Sequence, residues 1–193
     1  MAFRIESRHV DGDVLVLAPD VFGDQRGFFM ETFRADHFRA LGLPHEFLQD
    51  NQSHSQRGVV RGLHFQWDPP MGKLMRVTSG SAFLVAVDIR KASPTLGEWF
   101  GIEVSAENKK QVWAPPGFAR GFCVLSDYAD VQYKCTAIYN ARAESGIRWD
   151  DPAIGIEWPV ANAILSEKDR SARTLEEWLT SPESDNFRYG DSR

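Results

Sequence analysis

Short apolar runs separated by glycine and proline are the feature that most constrains the fold of this chain. Its 193 residues include 15 Gly and 10 Pro, and 13 Phe and six Trp supply bulky side chains between these turns. Many short strands joined by frequent turns are what a β-sandwich or a β-barrel requires. The composition therefore predicts one β-rich domain spanning residues 1–193, large enough to bury roughly 70% of its unfolded surface.

The sixteen residues from Gly58 to Lys73 contain an Arg, a His and a Lys that could act on a ligand. We predict a strand interrupted by Gly62, a turn at Asp-Pro-Pro, and a second strand that returns as a hairpin and brings Lys73 beside His64. Arg61 and His64 would face opposite sides of a flat strand, so they share a cavity only if Gly62 carries a bulge or kink. These groups suit an anionic ligand that must lose a proton. The alternative is an ordinary strand with a surface Arg and a packed His.

A carboxylate lies among aromatic residues near the N-terminus. We predict a strand from Phe28 to Phe33, on which Phe29, Glu31 and Phe33 share one face. A carboxylate between two Phe side chains is unfavourable unless it is paired or hydrogen-bonded. Glu31 therefore either binds a ligand or sits at a strand edge.

Two further predicted strands place polar groups in a regular alternation. Residues 47–53 put Gln49 and Asn51 on one face, where they either suit sugar hydroxyls or a base, or face solvent. Tyr133 alternates with apolar neighbours and belongs to the inward set of its strand. A buried tyrosine usually finds a hydrogen-bond partner, so its hydroxyl points at a core carbonyl or into a cavity.

The C-terminal region contains a helix-start signal. Ser166 is positioned to cap a helical turn, with Asp169 in the capping-box position. On this interpretation Asp169 has a structural role in the cap. The last residues, about 182–193, are polar and predict a mobile tail.

Several classes of function are disfavoured by the sequence. A formal charge of −5 argues against nucleic acid, and the chain has neither an apolar run of membrane-spanning length nor the apolar core of a signal peptide. Two cysteines make no disulfide framework and favour a reducing cytoplasm. His64 has no neighbouring ligand set, and nucleophile-elbow, phosphate-loop and dinucleotide motifs are absent. Acid–base chemistry without metal or cofactor, or plain ligand binding, remains.

Six motifs from about Val14 to Asp169 give the chain a specific likeness. In order, it resembles the dTDP-4-dehydrorhamnose 3,5-epimerase family through D-x-R-G-F-F-x-E (Asp24 to Glu31), Q-D-N-x-S (Gln49 to Ser53), G-V-V-R-G-L-H-F-Q (Gly58 to Gln66), V-D-I-R-x-x-S-P-T (Val87 to Thr95), P-x-G-F-A-x-G-F (Pro115 to Phe122) and L-S-x-K-D (Leu165 to Asp169). The resemblance implies an all-β, cupin-type double-stranded β-helix (jelly roll) with a few short peripheral helices. It also implies a homodimer in which the N-terminal strands, about residues 1–50, are shared between subunits.

The same resemblance assigns roles in inverting C3 and C5 of a nucleotide-linked 4-keto-6-deoxy sugar without cofactor or metal. His64 is implied as the base, with Asp169 holding its tautomer, Tyr133 as the acid on the opposite face, and Lys73 as the group that stabilises the enolate oxygen. Substrate-binding positions are implied at Arg26, Phe29, Glu31, Gln49, Asn51, Arg61, Glu144 and Lys168.

Two positions depart from the family pattern. Arg120 stands where the family commonly has His, and either adds a phosphate contact or alters sugar handling, so we count it among the substrate-binding residues. Ile138 stands where an aromatic side chain often stacks on thymine, which leaves the base unassigned. The alternatives are a C3-only or C5-only epimerase, a 3,4-ketoisomerase, and a non-catalytic nucleotide-sugar-binding protein.

Overall fold

The computed structural model describes residues 3–190, most of which form antiparallel β-strands and connecting turns. None of the helices in this range is long and apolar enough to cross a membrane. The elements, in chain order, are β1 (Phe3–His9), β2 (Val14–Pro19), β3 (Val21–Asp24), β4 (Gly27–Met30), α1 (Ala35–Ala40), β5 (Gln49–Gln56), β6 (Val60–Gln66), β7 (Lys73–Ser79), β8 (Ser81–Asp88), β9 (Trp99–Ser105), β10 (Gln111–Ala114), β11 (Phe118–Val124), β12 (Tyr128–Cys135), β13 (Glu144–Gly146), α2 (Glu167–Arg170), α3 (Leu175–Thr180) and a 3₁₀ helix (Pro182–Asn186).

Two antiparallel sheets enclose the centre of the molecule. A six-stranded sheet has the order β1-β2-β10-β7-β12-β5, and a five-stranded sheet has the order β13-β6-β11-β8-β9. The chain passes repeatedly from one sheet to the other, which is the jelly-roll arrangement. β3 and β4 form a separate two-stranded hairpin. The predicted all-β jelly roll with short peripheral helices is confirmed.

Apolar side chains form three layers, because both faces of each sheet are covered over much of their area. Inward-facing residues such as Leu84, Phe118 and Val131 fill the space between the sheets. Outside the five-stranded sheet, the fully buried Trp178 of α3 packs on Phe65, with ring centroids 4.5 Å apart. α1 and the residues around it cover part of the outer face of the six-stranded sheet. The two sheets are therefore stabilised by apolar packing both between them and on their outer faces.

The predicted hairpin between His64 and Lys73 is wrong. β6 pairs with β11 and β13, whereas β7 pairs with β10 and β12, so the two strands lie in different sheets. The Asp-Pro-Pro turn reverses the chain but carries it across the sandwich. Turn residues indicate where a strand ends and not which sheet the next strand joins. Lys73 consequently faces His64 across the interior.

The prediction of a mobile tail from residue 182 is wrong for residues 182–190. Pro182–Asn186 forms a 3₁₀ helix, and Phe187 is buried against Trp178 and Phe65. A β-bridge between Lys91 and Arg188 fixes the segment further. One aromatic anchor within a polar sequence is enough to dock it. Residues 191–193 lie outside the described part of the chain.

Candidate active site

A polar cavity of about 120 Å³ opens between the two sheets. His64 on β6 and Arg120 on β11 line it from the five-stranded sheet, and Lys73 on β7 and Tyr133 on β12 line it from the six-stranded sheet. Tyr133 occupies the inward face of β12, as the alternation along that strand predicts. Imidazole, guanidinium, ammonium and phenol groups therefore meet in one cavity from opposite walls.

A bulge at Gly62 allows β6 to supply two of these polar groups. His64 pairs with Arg120 and Arg61 pairs with Phe122, so β6 uses one residue more than β11 over the same length. Gly62 has φ of +120°, and a Cβ added there would lie 2.6 Å from a backbone atom of β11. Only glycine fits this conformation and this close approach. The bulge that a cavity shared by Arg61 and His64 requires is present at Gly62, and both side chains line that cavity.

The imidazole of His64 is held by a carboxylate from the C-terminal region. Nε2 of His64 lies 2.5 Å from Oδ1 of Asp169. Asp169 lies on α2, whose N-cap is Ser166; the Ser166 hydroxyl accepts the Asp169 N–H at 3.1 Å and donates to Oδ2 at 2.9 Å. The predicted cap is confirmed, and the carboxylate also reaches His64. A hydrogen bond of this kind fixes the tautomer and orientation of an imidazole.

Asp169 remains charged at neutral pH although it is buried. Burial alone would raise the pKa of Asp169, but hydrogen bonds from His64 and Ser166, together with the charge of His64, hold it below its usual value. Only 3% of the residue is exposed. An ionised carboxylate at this distance stabilises the positive charge that His64 acquires on taking up a proton.

Tyr133 and Lys73 lie together on the opposite wall. The Lys73 Nζ is 4.9 Å from the centroid of the Tyr133 ring. Burial, with the nearby Cys135, raises the pKa of Tyr133, so the phenol keeps its proton near neutral pH. Burial, with the charge of Arg120, lowers the pKa of Lys73 to about 8. The wall thus offers a protonated phenol and an ammonium group that titrates close to neutrality.

Arg120 is the most deeply buried cation of the cavity, with 3% of the residue exposed. Its Nη1 donates to the carbonyl oxygens of Ala114, at 3.4 Å, and Pro115, at 3.2 Å. Its Nε and Nη2 have no hydrogen-bond partner within residues 3–190. Burial lowers the pKa of Arg120 to about 10, which leaves the guanidinium charged at neutral pH.

A second cavity of about 260 Å³ adjoins the same His–Asp pair. Glu144 on β13 and Lys168 on α2 line it together with His64 and Asp169. Lys168 Nζ donates to Glu144 Oε2, which also accepts the hydroxyl of Tyr139 at 3.2 Å. Glu144 and Lys168, both implied by the resemblance, are therefore brought together beside the imidazole.

The two amides of β5 also share a face, as predicted. Gln49 donates from Nε2 to Oδ1 of Asn51 at 3.0 Å, and its Oε1 accepts the backbone N–H of Tyr139 at 2.8 Å. Asn51 pairs with Tyr133 in the strand register, which places it beside the phenol. Both amides are half-buried at the edge of the six-stranded sheet.

Sequence reasoning missed two serines on the same strand. Ser53 lines the first cavity, and the Ser55 hydroxyl accepts the Nε–H of Arg61 at 3.0 Å. The alternation that begins with Gln49 and Asn51 continues through both serines. Extending that pattern by two steps would have found them.

Arg26, Phe29 and Glu31 lie apart from these two cavities. Arg26 bonds Asp24 at the tip of the β3–β4 hairpin, and 67% of Phe29 is exposed. The strand predicted over residues 28–33 is wrong beyond Met30, where β4 ends, so Phe29 and Glu31 do not continue one strand face. Glu31 pairs with Arg34 at 3.6 Å, beyond the strand. Within this chain, none of the three lines the cavity that holds His64.

The surroundings of His64 offer few ligands for a metal ion. Across residues 3–190, no three side chains of His, Cys, Asp or Glu converge as a ligand set. Gln66, two positions along β6, donates instead to the carbonyl oxygens of Pro69 and Ile138.

The interior of this jelly roll sets an imidazole–carboxylate pair opposite a phenol, and the family that the chain matches is a family of isomerases. The model of the dTDP-4-dehydrorhamnose 3,5-epimerase family matches residues 10–177. The chain belongs to that family, as its motifs predict.

Individual relatives agree with this assignment. The dTDP-4-dehydrorhamnose 3,5-epimerase of Shigella flexneri is 57% identical over 81% of this chain and 88% of its own length. The crystal structure of dTDP-6-deoxy-D-glucose-3,5-epimerase from Legionella pneumophila, in complex with dTDP-4-keto-L-rhamnose, superposes with a TM-score of 0.89. It is 44% identical and covers 94% of this chain and 96% of that one. A dTDP-4-dehydrorhamnose 3-epimerase of Streptomyces niveus is 36% identical over 90% of this chain and 84% of its own length.

Proposed function

We propose that this chain converts dTDP-4-dehydro-6-deoxy-D-glucose to dTDP-4-dehydro-L-rhamnose by inverting C3 and C5. The observation that carries the proposal is the position of His64 and Tyr133 on opposite walls of one cavity. Inversion requires that a proton leave one face of the sugar ring and that another arrive at the opposite face. A base and an acid on opposite walls meet that requirement.

His64 removes the proton from the carbon next to the C4 ketone. The C–H bond breaks, its electron pair moves onto O4 as an enolate, and the proton goes to the imidazole, whose charge Asp169 stabilises. Lys73 lies on the wall where the enolate oxygen develops. Tyr133 then donates its proton to the other face of the carbon. Each inversion leaves an imidazolium and a phenolate, which exchange one proton through solvent before the next.

The nucleotide occupies the cavity mouth and the adjoining surfaces. Arg61, held by Ser55, presents its guanidinium to the diphosphate, since this group binds phosphate oxygens through two donors. The half-buried amides of Gln49 and Asn51, and the pair formed by Glu144 and Lys168, bind the sugar and nucleoside.

The chain acts as a homodimer in which the β3–β4 hairpin of one protomer completes the site of the other. Phe22, Phe28 and Phe29 of this hairpin are 64%, 58% and 67% exposed, which is a large apolar area for a surface ribbon. Arg26 and Phe29 lie apart from the cavity of their own chain. A second copy gives the aromatic residues a partner surface and brings Arg26 to the diphosphate.

Deuterium incorporation tests the reaction. In D₂O the wild-type protein should place deuterium at both C3 and C5 of dTDP-4-dehydro-6-deoxyglucose. His64→Ala should lower turnover by about 10²–10⁴-fold, because a positioned base is lost, while dTDP still binds. His54→Ala is the matched control, since His54 also bonds an aspartate, Asp130, but lies outside the cavity.

The other outcomes point to the alternative functions. Exchange at C3 alone would assign the reaction named for the Streptomyces niveus relative, and exchange at C5 alone would assign the other mono-epimerase. A displaced ketone in the product's NMR spectrum would indicate a 3,4-ketoisomerase. Binding of dTDP without any exchange would indicate a nucleotide-sugar-binding protein.

Subunit mixing tests the shared site. His64→Ala and Arg26→Ala homodimers should each be nearly inactive, but unfolding and refolding them together should restore activity. Half the sites of the mixed dimer then combine an intact barrel with an intact hairpin. His64→Ala mixed with Tyr133→Phe is the control and should stay inactive, because each barrel carries one defect. Failure of the first mixture to regain activity while forming dimers would refute the exchange.

A further inference from the structure

The buried guanidinium of Arg120 has more hydrogen-bonding capacity than the protein uses. Nη1 is satisfied by two carbonyl oxygens, whereas Nε and Nη2 have no partner among residues 3–190 although the residue is 97% buried. Buried N–H groups of a charged side chain are strongly unfavourable when unpaired. Because Arg120 lines the cavity, a ligand with oxygen acceptors can supply the missing partners.

The position of Arg120 shows which part of the ligand it meets. Its Nη1 is fixed to the carbonyl of Ala114, and Ala114 pairs with Lys73 in the register of β10 and β7. The Arg120 head therefore lies at the Lys73 end of the cavity. Arg61 is the exposed cation of the cavity and bonds Ser55 instead. A charged diphosphate suits the exposed end, and the neutral sugar ring suits the buried one.

We propose that Arg120 donates its Nε and Nη2 N–H groups to O4 of the sugar, and so shares with Lys73 the stabilisation of the enolate. This inference rests on the proposed epimerisation and adds a substrate-contacting residue to it. A guanidinium already fixed through Nη1 needs little rearrangement when the oxygen becomes negatively charged. Such a preorganised donor acts mainly on the transition state.

Lys73 and Arg120, the two cations that we place around O4, lose their protons at different pH. The pKa of Lys73 is lowered to about 8, first by burial and then by the charge of Arg120; Cys135 and Glu144 act in the opposite direction, and Lys168 lowers it slightly. The pKa of Arg120 is about 10. As the pH rises through about 8, Lys73 loses its proton while Arg120 keeps its charge. Turnover should therefore decline above pH 8 to a lower level that Arg120 sustains.

Arg120→Met tests the proposal, because methionine has a long side chain without charge or donors. We expect kcat to fall about 10²–10³-fold, the loss typical of removing an oxyanion donor. The affinity for dTDP, which lacks the sugar, should stay unchanged. The basic limb of the kcat profile should move to higher pH, since the pKa of Lys73 rises when the neighbouring charge is removed. Arg57→Met, which removes an exposed arginine paired with Asp127, is the control.

A second variant covers the case in which methionine prevents folding. Arg120→Lys retains the charge but loses the planar pair of donors, so kcat should fall while the basic limb stays near that of the wild type. Weaker dTDP binding with unchanged kcat would instead assign Arg120 to the diphosphate and overturn the inference. Unchanged kcat and dTDP affinity in a folded variant would do the same. If the wild type itself exchanges no deuterium, the proposed epimerisation is what fails.

Discussion

Two buried carboxylates in this molecule have opposite uses. Asp88, at the end of β8, is fully buried, and its oxygens accept hydrogen bonds from Arg90, Ser93 and Thr95 of the loop that follows. Asp169 is almost as buried, but its oxygens are divided between its own cap and His64. Hydrogen bonds hold the pKa of each carboxyl below its usual value despite burial.

The carboxylates of Asp88 and Asp169 differ in how far along the sequence their hydrogen-bond partners lie. The partners of Asp88 lie within seven residues of it, so the carboxylate closes a loop and has no oxygen left for a ligand. Asp169 reaches a ring 105 positions away in sequence, and that ring faces a cavity. A buried acid saturated by its own loop supports the fold, whereas one shared with a cavity-lining imidazole supports chemistry.

Replacing Asp88 gives the largest expected effect. Asp88→Ala leaves the buried Arg90 with Asp13 as its remaining acidic partner among the described residues, so the free energy of unfolding should fall by about 3–5 kcal/mol. Urea denaturation measures this loss, and the folded fraction should retain wild-type turnover. Asp150→Ala is the control, because its pair with Arg148 is exposed and contributes about 0–1 kcal/mol. Loss of turnover in fully folded Asp88→Ala would contradict the comparison.

Replacing Asp169 should lower turnover and leave stability almost unchanged, the reverse of the result expected for Asp88. Asp169→Asn removes the charge that supports protonated His64 but keeps a side chain of similar shape. We expect kcat to fall about 100-fold, or ~2.7 kcal/mol, with little change in the unfolding midpoint. Asp130→Asn removes the carboxylate from the exposed pair with His54 and should leave turnover unchanged. A large loss of stability without a kinetic effect would make Asp169 a second structural acid.

The sequence could predict those parts of the site that depend on local backbone rules. Strand parity shows that Arg61 and His64 need a bulge at Gly62 to share a cavity, alternation predicts the inward position of Tyr133, and spacing predicts the cap at Ser166. Each rule acts over a few residues. Motif resemblance then identified Asp169 as the partner of His64, which spacing alone did not.

Features that depend on distant packing could not be predicted in this way. The Asp-Pro-Pro turn correctly predicted where β6 ends, but it did not indicate that β7 joins the other sheet. The polar tail gave no sign that Phe187 would find a site against Trp178. The partners of Asp88 likewise could not be read from its motif alone. Long-range contacts decide each case.

Replacing Ser166 should give the smallest effect and separates its two roles. Ser166→Ala removes the cap of α2 and the hydroxyl that orients Asp169, so it should destabilise the protein by about 1 kcal/mol and lower kcat modestly. Thr174→Ala removes the equivalent cap of α3 and should have a similar cost without a kinetic change. Ser166→Thr, which keeps the hydroxyl, should restore both properties. Equal kinetics in the two alanine variants would show that Ser166 is only a cap.

The bulge at Gly62 decides which side chains of β6 line the cavity, because it adds one residue to the strand between Arg61 and His64. Three positions separate Arg61 from His64, so on a regular strand of the same length the two side chains would face opposite sides. A substitution at Gly62 that straightened β6 without shortening it would therefore turn either Arg61 or His64 out of the cavity. Evolution can exchange side chains around this site one at a time, but a change that removes the bulge and keeps the strand length separates the pair.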